Sequence, residues 1–332
     1  MTPQSLYQDY APSPTFENIA ILLIALFLLS NIKILPGVWH YRLFKALFTQ
    51  FILHASSPTA TSRTHENTPP SLFRPLVTAS HVPLAECDYN LHKSNSTFFT
   101  DLDINRTQLL ARLFKSVLGK RRPRSRRHGT EGKTTEGNTG SGKVGLALGS
   151  VMCTFRRQIR PFQRYDICSR VLTWDDKWLY VVSHFVEKGA IHVTPAFGPG
   201  EESVVAADAA AAAAADGDKE RARVHVPETA IYSSAIARYV FKEGRITVAP
   251  SVVLEEAGFL PSSANSEEET EGTRAEVEGD VRVLERSTCT QVEEERRKGE
   301  KFARALAMLG DLPEAFGGES IPPLGRFGDL FW

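Results

Sequence analysis

Residues Glu86 to Val117 read E-C-D-Y-N-L-H-K-S-N-S-T-F-F-T-D-L-D-I-N-R-T-Q-L-L-A-R-L-F-K-S-V, and two halves of different character meet inside that stretch. The first half is short and polar, with the carboxylate Asp88 followed by His92 and Asn95. The second carries Phe98, Phe99, Leu102, Leu109, Leu110, Leu113, Phe114 and Val117, with Arg106, Arg112 and Lys115 between them. Apolar residues recurring every three to four positions predict a long helix with one wide buried face. A carboxylate and an imidazole just ahead of such a helix are chemically useful. The N–H groups at a helix start lack intrahelical partners and can polarise an acyl carbonyl. Residue chemistry alone leaves a plainer reading open, an Asx turn with a helix cap.

Outward from this stretch the pattern changes to β. Pro75 to Leu84 has strand character ahead of it. After it, L-A-L-G-S-V-M-C-T-F-R-R-Q-I, D-I-C-S-R-V-L-T-W and W-L-Y-V-V-S-H-F-V-E are β-branched and aromatic, separated by turn signals at Arg160-Pro161 and Asp175-Asp176-Lys177. Ile231 to Phe241 and Arg245 to Pro250 form a further hairpin about Lys242-Glu243-Gly244. One strand, one long helix and about four antiparallel strands predict an α+β domain, a curved sheet wrapped around a single helix. The domain spans residues 73–261, with insertions at 119–142 and 198–228. The first insertion holds G-N-T-G-S-G-K, but Val144 follows where a phosphate-binding loop needs Ser or Thr, and no apolar strand precedes the glycines. Its basic block, Lys120 to Arg127, lacks stacking aromatics, so no nucleic-acid partner is expected; anionic lipid suits it at least as well.

Acidic and basic side chains are equal in number, 39 each, which gives no global pull toward a polyanion. Cys87, Cys153, Cys168 and Cys289 are scattered without C-x-x-C, so neither a disulfide framework nor a metal site is expected, and a reducing compartment fits. Residues 1–18 form a polar tail. Ile19 to Leu35 is apolar except for Ser30, Asn31 and Lys33, near the lower limit of the roughly 17–25 residues that span a bilayer. Lys33, Arg42 and Lys45 follow the run, and Leu43 to Leu53 reads as an interfacial piece. Residues 19–54 are therefore expected to be a single-pass or monotopic membrane anchor. The remainder would lie in the cytosol, with the endoplasmic reticulum as the expected membrane. A Ser/Thr/Pro-rich linker occupies 55–72. Residues 262–332 read as an acidic disordered stretch and a charged C-terminal helix with no assigned role.

The stretch D-Y-N-L-H-K-S-N-S-T-F-F-T-D-L-D-I-N-R resembles the D-x-x-x-H-x-N-N-x-x-Y mark of the hotdog-fold acyl-thioesterase superfamily. The similarity is to the branch of thioesterase superfamily member 6 and its fungal relatives, found with secondary-metabolite genes. Asp88, His92 and Asn95 match in register, as do Asp101, Asp103 and Arg106. R-R-Q-I-R-P-F-Q-R-Y-D-I-C-S-R-V-L-T-W-D-D-K-W-L-Y and A-R-Y-V-F-K-E-G-R-I-T-V-A-P look like the same branch. Ser94 departs from the first Asn of the pair and Phe98 from the Tyr. The resemblance implies a hotdog fold and hydrolysis of acyl-CoA or carrier-bound acyl or polyketide thioesters, with no cofactor. It implies that Asp88 attacks the thioester or activates a water. His92 would orient the carbonyl or Asp88, and the N–H groups near Ser94 and Asn95 would hold the oxyanion, with Ser94, Asn95 and Phe98 at the substrate. It also implies a homodimer joined edge to edge. Arg156, Arg157 and Arg160 read first as an exposed strand end and second as a contact for a carrier's phosphate. The alternative in another class is a non-catalytic, membrane-anchored acyl-binding scaffold.

Overall fold

The structure is a computed structural model, and it describes residues 14–53, 71–121, 142–191, 226–261 and 275–309. The expected insertions, linker and acidic stretch fall almost wholly outside these residues. Strands β1 (Leu76–His81), β2 (Val144–Phe155), β3 (Arg164–Trp174), β4 (Leu179–Glu187), β5 (Ile231–Glu243) and β6 (Ile246–Val248) form one antiparallel sheet, in the order β1-β3-β4-β5-β2 with β6 beside the end of β5. The two forecast hairpins close where the turn residues stand, at Asp175–Trp178 and at Gly244. β2 is an edge strand. Its pairing with β5 shifts register between Leu148 and Ser150, and Trp178 lies over the intervening Gly149 so closely that a Cβ there would sit 2.2 Å from the indole.

The long helix α3 (Asn95–Phe114) lies against the sheet. Leu109, Leu110, Leu113 and Phe114 pack with Val171, Val181, Ala237, Tyr239 and Phe241, while Phe98 and Leu102 pack with Tyr165, Ile167, Phe185 and Tyr232. Asn105, fully buried, donates through Nδ2 to Thr78 Oγ1 and to the Ile167 carbonyl, which sets the helix against β1 and β3. A sheet around one helix is the hotdog arrangement. A short helix α4 (Pro250–Glu256) adds Val253 and Leu254 to the same core.

Two expectations need correction. The apolar run at 19–35 is not one helix. Helix α1 (Pro14–Ser30) has 17 residues, and no helix among the described residues is long and apolar enough to cross a membrane. It stops because Asn31 and Lys33 turn into the domain: Asn31 Oδ1 accepts the Ala85 N–H at 2.8 Å, and Lys33 is buried. Helix α2 (Val38–Phe48) and the π-helical Thr49–Leu53 then pack on α3, burying Ala46 and Gln50. The segment after α1 is therefore fixed to the domain by one face rather than standing apart from it, while Tyr41, Phe44, Phe48, Phe51 and Ile52 stay exposed on it.

The C-terminal helix α5 (Ala275–Ala307), to which the sequence assigned no role, packs on the sheet. Ala303 and Leu306 pack on Leu172 and Tyr180, Val292 joins the main core, and Thr173 Oγ1 donates to the Arg296 carbonyl at 2.9 Å. Contact is so close at Gly299 that a Cβ would stand 2.4 Å from the Leu172 oxygen.

Candidate active site

Asp88 sits in a turn that closes on itself before α3 begins. Its Oδ1 accepts the N–H of Asn90 at 2.9 Å and that of His92 at 3.4 Å, its own N–H donates to the His92 carbonyl at 2.9 Å, and the Leu91 N–H donates to the Asp88 carbonyl. The Asx turn and the candidate catalytic carboxylate are thus one structure. Asp88 and His92 are brought together, but through backbone groups: the His92 ring makes no hydrogen bond to Asp88 among the described residues. Leu91, between them, has φ +58° and is 62% exposed. Among the described residues only Phe162 is a second non-glycine with positive φ, and it stands in the neighbouring loop, also exposed. Left-handed backbone at bulky residues costs about 1–3 kcal/mol each, and such strain gathers at functional sites.

Ser94 is the N-cap residue, yet its side chain does not cap; Oγ lies 3.1 Å from Ser96 Oγ instead. That leaves the first-turn N–H groups of Asn95 and Ser96 without a side-chain cap, at the positive end of a 20-residue helix. The Ser94 N–H is engaged, donating to the Glu86 carbonyl at 2.8 Å, so the N–H groups suited to an oxyanion are those one and two residues further on. Asn95 is exposed at the helix start. Phe98 does not face outward: its ring is 2% exposed and packs edge-on against Phe155 and Phe185, with centroids 5.0 and 4.7 Å away. It forms the wall behind the turn. A hydroxyl added there would need a partner inside that wall.

Beneath the turn lies a group of charges that residue patterns did not reveal. Lys93 Nζ bonds Glu86 Oε2 at 2.6 Å and Asp101 Oδ2 at 3.0 Å, Tyr165 donates its hydroxyl to Asp101, and Glu86, Lys93, Asp101 and Tyr165 are all buried. Burial pushes the Asp101 carboxyl up, but Lys93 and Lys33 beside it, the Tyr165 hydrogen bond and Arg42 outweigh burial and hold it well below the carboxylate range. Burial also raises the Tyr165 phenol and lowers the Lys33 ammonium. The other matched positions are structural as well. Asp103 pairs with Arg106 at 2.8 Å, and Arg106 is buried with its guanidinium over the Tyr239 ring.

The loop from β2 to β3 forms the neighbouring wall. Lys93 N–H donates to the Ile159 carbonyl, while Phe162 N–H and Val82 O, and Val82 N–H and Gln163 O, close it against the end of β1. A cavity of about 780 Å³ opens there, lined by Arg156, Arg157, Gln158, Arg160, Pro161, Phe162, Gln163 and Tyr232. Asp88 does not line the cavity. Arg156 pairs with Glu228 and Arg157 with Glu187, each at 2.7 Å, and Gln163 Nε2 donates to the Tyr232 hydroxyl. Arg160 has no ion pair among the described residues.

Known proteins share this plan. Residues 82–231 match the thioesterase-like superfamily. The chain is 42% identical over 309 residues to the probable thioesterase atnL of Emericella nidulans, covering 92% of this chain and 90% of that protein. It is 36% identical over 304 residues to the thioesterase poxG of Penicillium oxalicum, covering 91% and 88%. With the thioesterase lcsJ of Purpureocillium lilacinum it shares 32% over 303 residues, covering 84% and 86%. Kinship along nearly the whole chain, on a hotdog sheet and helix, shows that the chain belongs to the thioesterase-like superfamily, among its fungal thioesterases.

Proposed function

We propose that the protein hydrolyses acyl or polyketide chains from CoA or from a carrier protein, with Asp88 as the reacting carboxylate. Thioester hydrolysis as the reaction class follows from the family. The observation that carries the site is the half-buried Asp88 turn leading directly into the uncapped N-terminus of α3. In this reading a thioester carbonyl lies over the Asn95 and Ser96 N–H groups. Asp88 attacks it or draws a proton from a water, and the developing oxyanion is held by the helix start. His92 flanks the carbonyl. Arg160, on the adjoining cavity, meets a phosphate of the thiol carrier, with Arg156 and Arg157 in reserve behind their glutamate pairs.

The partners are inferred from two exposed surfaces. β2, the edge strand of 12 residues, exposes Leu148, Met152 and Phe155. Pairing two such edges makes a homodimer, protects the strand and brings a second subunit beside the Phe98–Phe155 wall. α1 is apolar all round, exposing Ile21 to Ile24 and Leu26 to Leu29, and Tyr41, Phe44, Phe48, Phe51 and Ile52 are exposed on the segment after it. A helix with no polar face needs a cover. Lipid suits it, held monotopically: 17 residues extend about 26 Å, short of the roughly 30 Å hydrocarbon layer. Domain and site would then lie on the cytosolic face.

Full-length protein and Asp88→Asn, assayed for thiol release from an acyl-CoA series, test the reaction. Turnover by the wild type and a loss of at least about 100-fold in the variant are expected. Equal rates would instead favour an acyl-binding scaffold.

A further inference from the structure

The N-terminal arm reaches the upstream stem of the Asp88 turn and the α3 carboxylate Asp101, and Glu86 passes that hold to the downstream end of the turn. Lys33 Nζ lies 2.9 Å from Glu86 Oε1 and 2.9 Å from Asp101 Oδ2, and donates to the His81 carbonyl at 2.9 Å. Glu86 stands two residues before Asp88. It also takes Lys93, the residue before the helix cap, and its carbonyl accepts the Ser94 N–H. Asn31 adds the bond to the Ala85 N–H, one residue further upstream. Arg42, on α2, reaches Asp101 Oδ1 at 2.9 Å. The side chains of Lys33, Glu86, Lys93 and Asp101 are each no more than 5% exposed, whereas Arg42 is 23% exposed and carries the surplus cation toward water.

Stability alone is a poor reason for such an arrangement, since apolar residues of similar volume would often hold the same space as well. What the charges add is geometry. Short charge-assisted bonds fix the two stems of the turn relative to α3, and catalytic groups must be held to fractions of an ångström. We propose that Lys33 and Asn31 are positioning residues for the reaction: seated from the arm, they set Asp88 against the start of α3, so turnover depends on a segment about fifty residues upstream of the carboxylate. The inference rests on the reading of Asp88 as the reacting group.

The test uses the full chain with palmitoyl-CoA, comparing wild type, Lys33→Met, Lys33→Arg and Asn31→Ala for kcat and KM, with hydrogen exchange followed at residues 86–95 and in β4. Lys33→Met is expected to lower kcat at least tenfold with KM within about twofold, and to speed exchange in the turn while β4 stays protected. Lys33→Arg should recover part of kcat. Asn31→Ala, which keeps every charge, should lower kcat several-fold in the same pattern, and it decides the matter if Lys33→Met does not fold. Wild-type kcat in a folded Lys33→Met, or in Asn31→Ala where that variant decides, overturns the inference and leaves the thioesterase reading standing. Loss of protection in turn and β4 alike also overturns it, since the role is then general stability. A wild type that releases no thiol from palmitoyl-CoA or from any other member of the acyl-CoA series removes the reading of Asp88 as the reacting group for acyl-CoA, and this inference with it.

Discussion

At the scale of single residues, the site divides into what a chain pattern announces and what only burial creates. The turn at Asp88 and the helix start at Asn95 were legible because a short polar stretch runs into a long apolar period, and the bonds of Asp88 to the Asn90 and His92 N–H groups form the Asx turn that the residues allowed. Phe98 was legible as a ring on the buried face, but its neighbours were not: it packs edge-on against Phe155 and Phe185. Lys33, Glu86 and Lys93 were invisible because charged residues in turns are ordinarily solvated. Asp101 is the hub of that cluster, so Asp101→Asn leaves Lys33, Lys93 and Arg42 short of a counter-charge. We expect a loss of about 3–5 kcal/mol in urea unfolding, much beyond a surface substitution. An effect under about 1 kcal/mol would show that the cations are satisfied without it.

At the scale of elements, strands and turns followed from β-branched runs and Asp or Gly punctuation, and they fall close to where those signals stand. The misreadings came at helices whose surroundings hydropathy does not record. The run at 19–35 contains the end of a helix, a turn and an arm, because Asn31 and Lys33 have partners fifty or more residues away. A chain begun at residue 71, which lacks Asn31, Lys33 and Arg42, should therefore lose cooperative thermal unfolding; a sharp transition near the full chain's melting temperature would contradict this. The charged helix α5 gave no packing signal because its apolar positions are few, yet Gly299 lets it approach β3 at backbone distance. Gly299→Val should lift α5 from Leu172 and Tyr180 at a cost of about 1–3 kcal/mol, with faster proteolysis in the helix as the readout. Unchanged proteolysis would mean the helix can slide to accommodate a side chain.

At the scale of the whole molecule, acid should weaken the fold in two stages. Burial lowers the His184 and His81 imidazoles, so the unfolded chain binds protons that the native chain refuses, and stability falls as pH drops below about 6.5. The depressed Asp101 carboxyl works in the same direction at lower pH: its contribution is complete above about 4 and is lost as pH falls toward its folded value. Melting temperatures from pH 8 to 3 check this, and a flat profile between 7 and 5 would contradict the histidine assignment. Light scattering on the full chain should give the mass of two copies if the β2 edges pair. Fold and family were legible because their signals recur along the strands and the long helix; the pairing of Arg156 with Glu228 and of Arg157 with Glu187 was not, because no pattern records it. The most direct measurement is thiol release from acyl-CoA by the intact chain with Asp88 or Asn at residue 88. The account requires turnover in the first and at least about 100-fold less in a second protein of equal melting temperature; equal turnover in both would contradict it.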